Sequence, residues 1–279
     1  MSNKPVLPFL ETMITQVCNL SCVGCTNYSD LPQRGYVTWE QGRNDIESWL
    51  KRVDIPDFGI MGGEPLINPE CLQWLQGVRG LMPNSQIRFT TNGLLLHRWP
   101  RLVDQLCELG NVIFKITVHH STPALEQTIT DIFNRYTWRP VEEYGIQRWI
   151  TDSNFRFHVK RPDTFIKTYR NSYNNMLPWN SDSRSAFAVC VQKTCPLLYQ
   201  GRIYKCSTSG LLAQTLEQVA PQNLTQWDQY IVPGLEPTCS DLELIKFVNN
   251  FGRSHTQCGQ CPSHGADYTI NHLTNVISK

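Results

Sequence analysis

From about residue 8 to residue 165, short β-prone apolar runs alternate with amphipathic stretches. Such alternation is typical of βα units arranged around a parallel sheet. The first part of the chain is therefore predicted to have an α/β fold. The strands that the pattern predicts are Phe9–Gln16, Phe58–Met61, Ile87–Thr91, Val112–His119, Ile146–Thr151 and Phe155–Lys160.

The stretches between these strands carry helix signals. Thr38 and Gln41 resemble a capping box that opens a helix, and Pro69 suits the first turn of another. Two further helices are predicted at Trp99–Leu109 and Pro123–Phe133. The apolar faces of the first two helices comprise Ile46, Trp49, Leu50 and Val53, then Cys71, Leu72, Leu75 and Val78.

The last third of the chain has a different character. Residues 170–185 are rich in Asn, Ser, Asp and Pro, which indicates a linker. Beyond them, the pattern predicts a hairpin at Leu197–Lys205 that turns at Gln200–Gly201, and a helix at Asp241–Asn250. We therefore expect a core domain at residues 1–170, a linker at 171–185 and a small cysteine-bearing domain at 186–279.

Composition narrows the functional classes. The 279-residue chain has a formal net charge of +1 and no long run of like charge. This balance gives no reason to expect nucleic acid or an acidic membrane surface as a partner. No apolar segment is long enough to span a bilayer, and the first nine residues lack the apolar stretch of a signal peptide. We therefore expect a cytoplasmic protein.

The chain contains 11 cysteines, an odd number without a secretion signal. Cytosolic thiols stay reduced, so clustered cysteines are better explained as ligands of iron or zinc than as disulfides. The first cluster is Cys18, Cys22 and Cys25, directly after the first predicted strand. Three thiolates can hold a 4Fe–4S cluster and leave one iron open to an outside ligand. The alternatives are a zinc site or three core thiols.

The spacing Cys-x3-Cys-x2-Cys after a first strand resembles the radical S-adenosylmethionine (SAM) superfamily over roughly residues 8–165. The resemblance implies a partial (β/α)6 barrel in which SAM chelates the open iron and is reductively cleaved. Gly62, Gly63, Glu64 and Pro65 resemble the motif that binds the amino group of SAM, with the glycines allowing close approach and Glu64 accepting from the ammonium.

Further site residues come from the same resemblance. Asn92 follows the third strand, as in many members of the family. Thr117 would face the ribose or carboxylate of SAM, and His119 would line the cavity. One departure is Gly24, because relatives usually have an aromatic residue there that packs on the adenine. Tyr28 is expected to take that role.

A second group of cysteines comprises Cys190, Cys195, Cys206, Cys258 and Cys261. Their arrangement resembles the twitch extension, a shortened SPASM domain found in 2-deoxy-scyllo-inosamine dehydrogenases, which holds an auxiliary 4Fe–4S cluster. Four thiolates close such a site, and a zinc knuckle is the main alternative. Family spacing favours Cys190 as the fourth ligand, whereas proximity to the predicted hairpin favours Cys195.

An auxiliary cluster with no open iron suggests a role as an electron acceptor. The leading hypothesis is therefore oxidation of a small polar substrate, such as a sugar or aminocyclitol, with flavodoxin or ferredoxin as external electron donor. The alternative within enzymes is a peptide-modifying maturase or epimerase, in which Cys239 could give a hydrogen atom to a substrate radical. The alternative of another class is a non-catalytic iron–sulfur carrier or a zinc-stabilised binding module.

Overall fold

The computed structural model describes residues 4–22, 24–143, 146–162, 164–264 and 269–271. The α-helices of these residues are α1 Trp39–Leu50, α2 Cys71–Leu81, α3 Leu102–Leu109, α4 Pro123–Arg135, α5 Ser183–Val189, α6 Ser207–Gly210, α7 Leu212–Val219 and α8 Asp241–Asn250. The strands are β1 Leu10–Met13, β2 Asp57–Met61, β3 Gln86–Thr91, β4 Val112–Thr117, β5 Arg139–Glu143, β6 Ile146–Ile150, β7 Phe155–Lys160, β8 Thr164–Ile166, β9 Leu197–Tyr199, β10 Arg202–Tyr204 and β11 Thr269–Asn271.

Nine of these strands form one sheet in the order β10-β9-β1-β2-β3-β4-β7-β6-β5. The six strands from β9 to β7 run parallel to their neighbours, and an antiparallel strand or hairpin lies at each edge. Helices connect the successive strands from β1 to β4. The predicted α/β fold with a mainly parallel sheet is therefore confirmed, and it is consistent with a partial barrel.

The membership of the parallel sheet differs from the prediction at one strand. The predicted fifth strand, at Ile146–Thr151, forms β6, which pairs antiparallel with β5 and β7. Only residues 151–154 separate β6 from β7, whereas a parallel connection needs about a dozen residues or more. The sixth parallel strand is instead β9, which pairs with β1 through Glu11 and Leu197.

The predicted C-terminal hairpin forms, but it belongs to the main sheet. Strands β9 and β10 pair antiparallel around Gln200 and Gly201, and both turn residues have positive φ. The amide of Gly201 donates to Asp45 on α1, and Trp49 donates to the Gly201 carbonyl. The last third of the chain is thus joined to the barrel sheet by backbone pairing and by side chains of α1.

The segment predicted as a linker is packed against its surroundings. Tyr169 and Met176 are buried in a cluster with Tyr28 and Trp227. Within the predicted linker, the amides of Trp179 and Ser181 donate to the carbonyls of Gln260 and Gly259. The Tyr173 hydroxyl also donates to Asp30 at 2.7 Å. The polar groups of this segment therefore form hydrogen bonds with residues from both the N-terminal and the C-terminal parts of the chain.

Helices α1 to α4 cover one face of the sheet, and the strands alternate accordingly. The outward face carries Leu10, Phe58, Phe89, Phe114 and Phe157, all buried in the main core. The opposite residues of the same strands line the concave side. The register aligns Glu11, Gly59, Arg88 and Ile113 in one row, and Thr90, Lys115 and His158 in the next row towards the carboxyl ends.

Two glycines of α2 offer a matched stability test. A Cβ on Gly77 would lie 2.2 Å from the indole of Trp39, whereas a Cβ on Gly80 would meet nothing within 4 Å. We expect Gly77→Ala to lower the free energy of unfolding by about 1–3 kcal/mol through overpacking. Gly80→Ala should raise it by about 0.5–1 kcal/mol, because alanine favours the helix. Urea unfolding measures both, and equal effects would place Trp39 elsewhere.

Candidate active site

The loop that carries the first three cysteines is held by an extension of the β1–β2 pairing. The amide of Ile14 donates to the Met61 carbonyl at 2.9 Å, and that of Gly63 donates to Thr15 at 2.8 Å. The amide of Glu64 then donates to Val17 at 2.8 Å, one residue before Cys18. The glycine-rich segment therefore fixes where the cysteine loop begins.

The two glycines of this segment are required by the cysteine loop itself. A Cβ on Gly62 would lie 2.6 Å from the Thr15 carbonyl oxygen, and one on Gly63 would lie 2.4 Å from that of Val17. Real Cβ atoms essentially never come this close to backbone. The expectation was that the glycines admit the ligand. The described contacts show that they admit the backbone of the cysteine loop, and close approach of a ligand stays a prediction.

A cavity of about 180 Å³ lies at the carboxyl ends of β1 to β4. It brings together most of the residues that the sequence singles out. Backbone turns close the cysteine loop beside it, since Cys25 donates to Cys22 and Tyr28 donates to Cys25. The predicted residues that line the cavity are Cys18, Cys22, Cys25, Gly62, Gly63, Asn92, Thr117 and His119.

Glu64 lies behind this cavity and is fully buried. Its carboxylate accepts from the Leu66 amide at 3.0 Å, the Thr91 hydroxyl at 2.6 Å and the Asn92 amide at 2.8 Å. Burial raises the pKa of Glu64 to about 7, opposed by these hydrogen bonds. Glu64 therefore ties β3 to the segment after β2, and its contact with a SAM ammonium stays a prediction.

Asn92 connects Glu64 to the cysteine loop. Its side-chain amide donates to the Asn19 side chain at 2.7 Å and lies 4.0 Å from the Cys18 sulfur. Its side-chain oxygen accepts from the Leu94 amide. Glu64, Asn92 and Asn19 thus form a chain of contacts that holds the loop from the β3 side.

Tyr28 does not take the role expected of it. It is fully buried, packs against Tyr169 with ring centroids 6.3 Å apart, and is absent from the cavity lining. Gly24 has φ of +76°, a conformation that disfavours a side chain. The backbone conformation at Gly24 explains why no aromatic residue stands at this position. Tyr28 packs in the core beneath the loop.

The donor set of the first three cysteines fits an iron–sulfur cluster. Burial raises the pKa of the Cys25 thiol to about 11, and metal binding replaces such protons. The Leu20 amide lies 3.4 Å from the Cys18 sulfur, in position to donate to it. Such hydrogen bonds to sulfur tune bound clusters. With three thiols on one short loop, one corner of a 4Fe–4S cluster would face the cavity.

Four of the five C-terminal cysteines are electrostatic neighbours. Besides burial, the thiols of Cys206, Cys190 and Cys258 raise the pKa of Cys261 well above its ordinary value. Burial raises the pKa of Cys206 to about 12, with Cys190 and Cys258 adding to it. These cysteines come from the end of α5, the end of β10 and the 3-10 turn Thr256–Gln260. In the described residues, no three Cys, His, Asp or Glu side chains lie close enough to share a single metal ion.

Cys195 faces a different environment. Burial and the nearby Glu11 carboxyl raise its pKa to about 12, while Arg88 and Lys115 lower it. Cys195 lines a cavity of about 870 Å³ beside Glu11 of β1, and it is not among the thiols that raise the pKa of Cys261. The geometry therefore favours Cys190 as the fourth member of the C-terminal set, as family spacing had suggested.

The remaining candidate cysteine, Cys239, lies on the helical side of the sheet. It packs at the edge of the main core and its backbone carbonyl accepts from Arg52. It lines neither cavity described here. Among the described residues, Cys239 therefore lies apart from the two adjoining cavities, and its role as a hydrogen-atom donor stays a prediction.

A larger cavity of about 870 Å³ occupies the concave side of the sheet. It shares Met61 and Thr90 with the cavity at the cysteine loop, so the two spaces adjoin. Sequence reasoning missed its charged lining. The available signal was the polar residue at every second position of otherwise apolar strands. The charged residues lining it are Glu11, Arg88, Lys115, Lys160 and Arg161.

The chain is similar in sequence to a known family and to named proteins. Residues 12–144 match the family model described as the Radical SAM superfamily. The protein named GTP 3′,8-cyclase of Rhodopirellula baltica is 32% identical over 90 residues, which are 31% of this chain and 25% of the relative. The GTP 3′,8-cyclase of Microcystis aeruginosa is 27% identical over 142 residues, 48% of this chain and 41% of the relative. The alignments thus span less than half the length of either relative.

Among solved structures, the chain is similar to the crystal structure of BtrN in complex with AdoMet and 2-DOIA. That likeness has 13% identity and a TM-score of 0.49, over 96% of this chain and 100% of that one. Separately, none of the helices in the described part of the chain is both long and apolar enough to cross a membrane.

Proposed function

We propose that this chain, whose residues 12–144 match the family model of the Radical SAM superfamily, uses Cys18, Cys22 and Cys25 to cleave SAM and abstract hydrogen from a small polar substrate. The observation that carries the proposal is the cavity that all three cysteines share with Gly62, Gly63, Asn92 and Thr117. A 4Fe–4S cluster held there, once reduced by an external donor, would supply the electron that cleaves SAM into methionine and a 5′-deoxyadenosyl radical.

The chain's own residues bind and aim the reactants. The carbonyl edge of Gly62 and Gly63 and the polar side chains of Asn92 and Thr117 border the space beside the cysteines. Glu64 holds Asn92 in place from behind. Because Met61 and Thr90 border both cavities, a group released in the smaller space would lie next to the larger one.

We propose that the larger cavity receives the substrate. Its walls combine aromatic rings with charged groups, and it opens beside the thiol of Cys195. A concave, partly apolar space with a few polar groups is the usual form of a small-molecule site. The neighbouring GTP 3′,8-cyclases act on GTP by name, which favours a substrate of small-molecule size over a protein partner.

Cys190, Cys206, Cys258 and Cys261 are proposed to hold an auxiliary 4Fe–4S cluster. Four thiols from three elements supply the donor set of a closed site. Cys195 lines the larger cavity and is five residues along the chain from Cys190. A group of that kind would accept an electron from a substrate radical, which supports a net oxidation.

The direct test is reductive SAM cleavage. Anaerobically reconstituted protein, given SAM and a strong reductant, should form 5′-deoxyadenosine and methionine in equal amounts, measured by chromatography. The variant with Cys18→Ala, Cys22→Ala and Cys25→Ala is the control and should form neither product. Undiminished cleavage in that variant would refute the assignment of the three cysteines.

A further inference from the structure

The larger cavity has a wall of positive charge on three neighbouring strands. Arg88 on β3, Lys115 on β4 and Lys160 on β7 all border it. The strand register explains the grouping, because Lys115 pairs with Thr90 and Thr117 pairs with Lys160 on the same concave face. Because side chains alternate between the two faces of a strand, these charged residues lie on the same face of the sheet.

Some of these charges are already balanced. Arg88 forms an ion pair with Asp57 and its guanidinium lies 4.9 Å from the centre of the Phe9 ring. Arg161 forms a bidentate pair with Glu126, at 2.8 and 2.7 Å. The ion pairs of the described residues include neither Lys115 nor Lys160. In the described part of the chain, these two lysines thus border the cavity without forming an ion pair.

Lys115 is the more confined of the two. Burial, with Lys160 and Arg88 as like charges, lowers its pKa below the ordinary value. The one carboxyl group among the cavity lining is Glu11. Burial raises the pKa of Glu11 to about 8 even with Lys115 and Arg88 opposing the shift. At neutral pH that carboxyl is mostly protonated and does little to neutralise the lysines.

Placing like charges together in a confined space is unfavourable unless an opposite charge enters it. We propose that the cavity binds the substrate through an anionic phosphate or carboxylate group, held by Lys115 together with Lys160 and Arg88. This inference rests on the proposed function and names the substrate class of the same site.

The rest of the cavity suits the body of such a substrate. Phe9 and Trp149 supply aromatic rings next to the basic wall. Lysine ammonium groups bind anions as point charges on flexible stems. With the anion fixed at Lys115 and its row partner Thr90 bordering both cavities, the uncharged part of the substrate lies towards the SAM side.

The test is anion binding to the reconstituted full chain by isothermal titration calorimetry, without SAM or reductant. Inorganic pyrophosphate and malonate are the phosphate and carboxylate probes, and myo-inositol is the neutral probe. At least one anion should bind, myo-inositol should not, and Lys115→Met should weaken the anion by about ten-fold or more. The anion that binds more tightly identifies the group. The affinity for the anion should fall as the salt concentration rises from about 50 to about 200 mM, because salt screens the attraction between charges.

Two further variants serve as controls for the effect of Lys115→Met. Lys115→Arg preserves the charge and should retain most of the affinity, while Lys246→Met removes an exposed charge on α8 and should change nothing. Binding of neither anion, or equal binding to the wild type and Lys115→Met, would overturn the substrate class. Because the titration contains no SAM, that failure would leave the SAM-cleavage result intact. Normal anion binding without any SAM cleavage would overturn only the proposed function.

Discussion

In a chain that lacks the first three cysteines, replacing both Cys258 and Cys261 by Ala should remove the remaining iron. The parent variant should hold about four irons per chain, all ligated by cysteine. The reason is that the four clustered thiols include both residues of the Cys-x2-Cys turn, so the double change removes half of the donor set. Iron analysis and absorbance of the reconstituted protein measure the loss.

Single replacements separate the two candidates for the fourth ligand. Cys190→Ala should lower the iron content of the same parent, whereas Cys195→Ala should leave it unchanged, because Cys195 faces the substrate cavity. In the otherwise wild-type chain, loss of the second site should stop substrate turnover but allow uncoupled SAM cleavage. One zinc and no iron in the parent variant would contradict the electron-acceptor role, as would iron that depends on Cys195 and not on Cys190.

Gly63→Ala should disable the first site through the cysteine loop. A Cβ at this position would lie 2.4 Å and 2.5 Å from the carbonyl oxygens of Val17 and Gln16. Both are backbone atoms immediately before Cys18, so the loop must move. A displacement on the order of 1 Å among positioned groups can lower a rate by about 100-fold. We expect a decrease of that size in SAM cleavage, together with loss of iron from the first site.

The iron content distinguishes this account from direct contact with the ligand. If Gly63 only made room for SAM, the alanine variant would retain full iron and lose SAM affinity alone. Gly252→Ala is the control, since its added Cβ meets nothing within 4 Å. Full iron in Gly63→Ala would contradict the loop role.

Local pattern predicted the local structure well. The capping box of Thr38 and Gln41 is formed, and the helix at Asp241–Asn250 has the bounds that the sequence indicated. The short spacing of Cys18, Cys22 and Cys25 also predicted the loop that borders the smaller cavity. Each of these features depends on residues within about ten positions of one another, which is the range over which periodicity and capping act.

The hydrophobic pattern could not predict which elements distant in the sequence contact one another. The sequence of Leu197–Tyr199 does not indicate that this strand pairs with β1. A short apolar strand has the same sequence pattern in a separate hairpin as it has near the edge of a larger sheet. Cys190 and Cys195 have similar local surroundings, and only the packing of α5 and β9 gives them different neighbours. The hydrogen bonds of Glu64 to Thr91 and Asn92 could not be predicted for the same reason, since these partners come from another strand and the residue after it.

The central claim is that the first cysteine loop leaves one iron open to SAM. The most direct measurement is electron paramagnetic resonance of the reduced protein in the variant with Cys206→Ala, Cys258→Ala and Cys261→Ala, where only the first site remains. The spectrum should be that of one reduced 4Fe–4S cluster, and addition of SAM should shift it because the ligand field of the open iron changes. A spectrum that SAM leaves unchanged would contradict the claim.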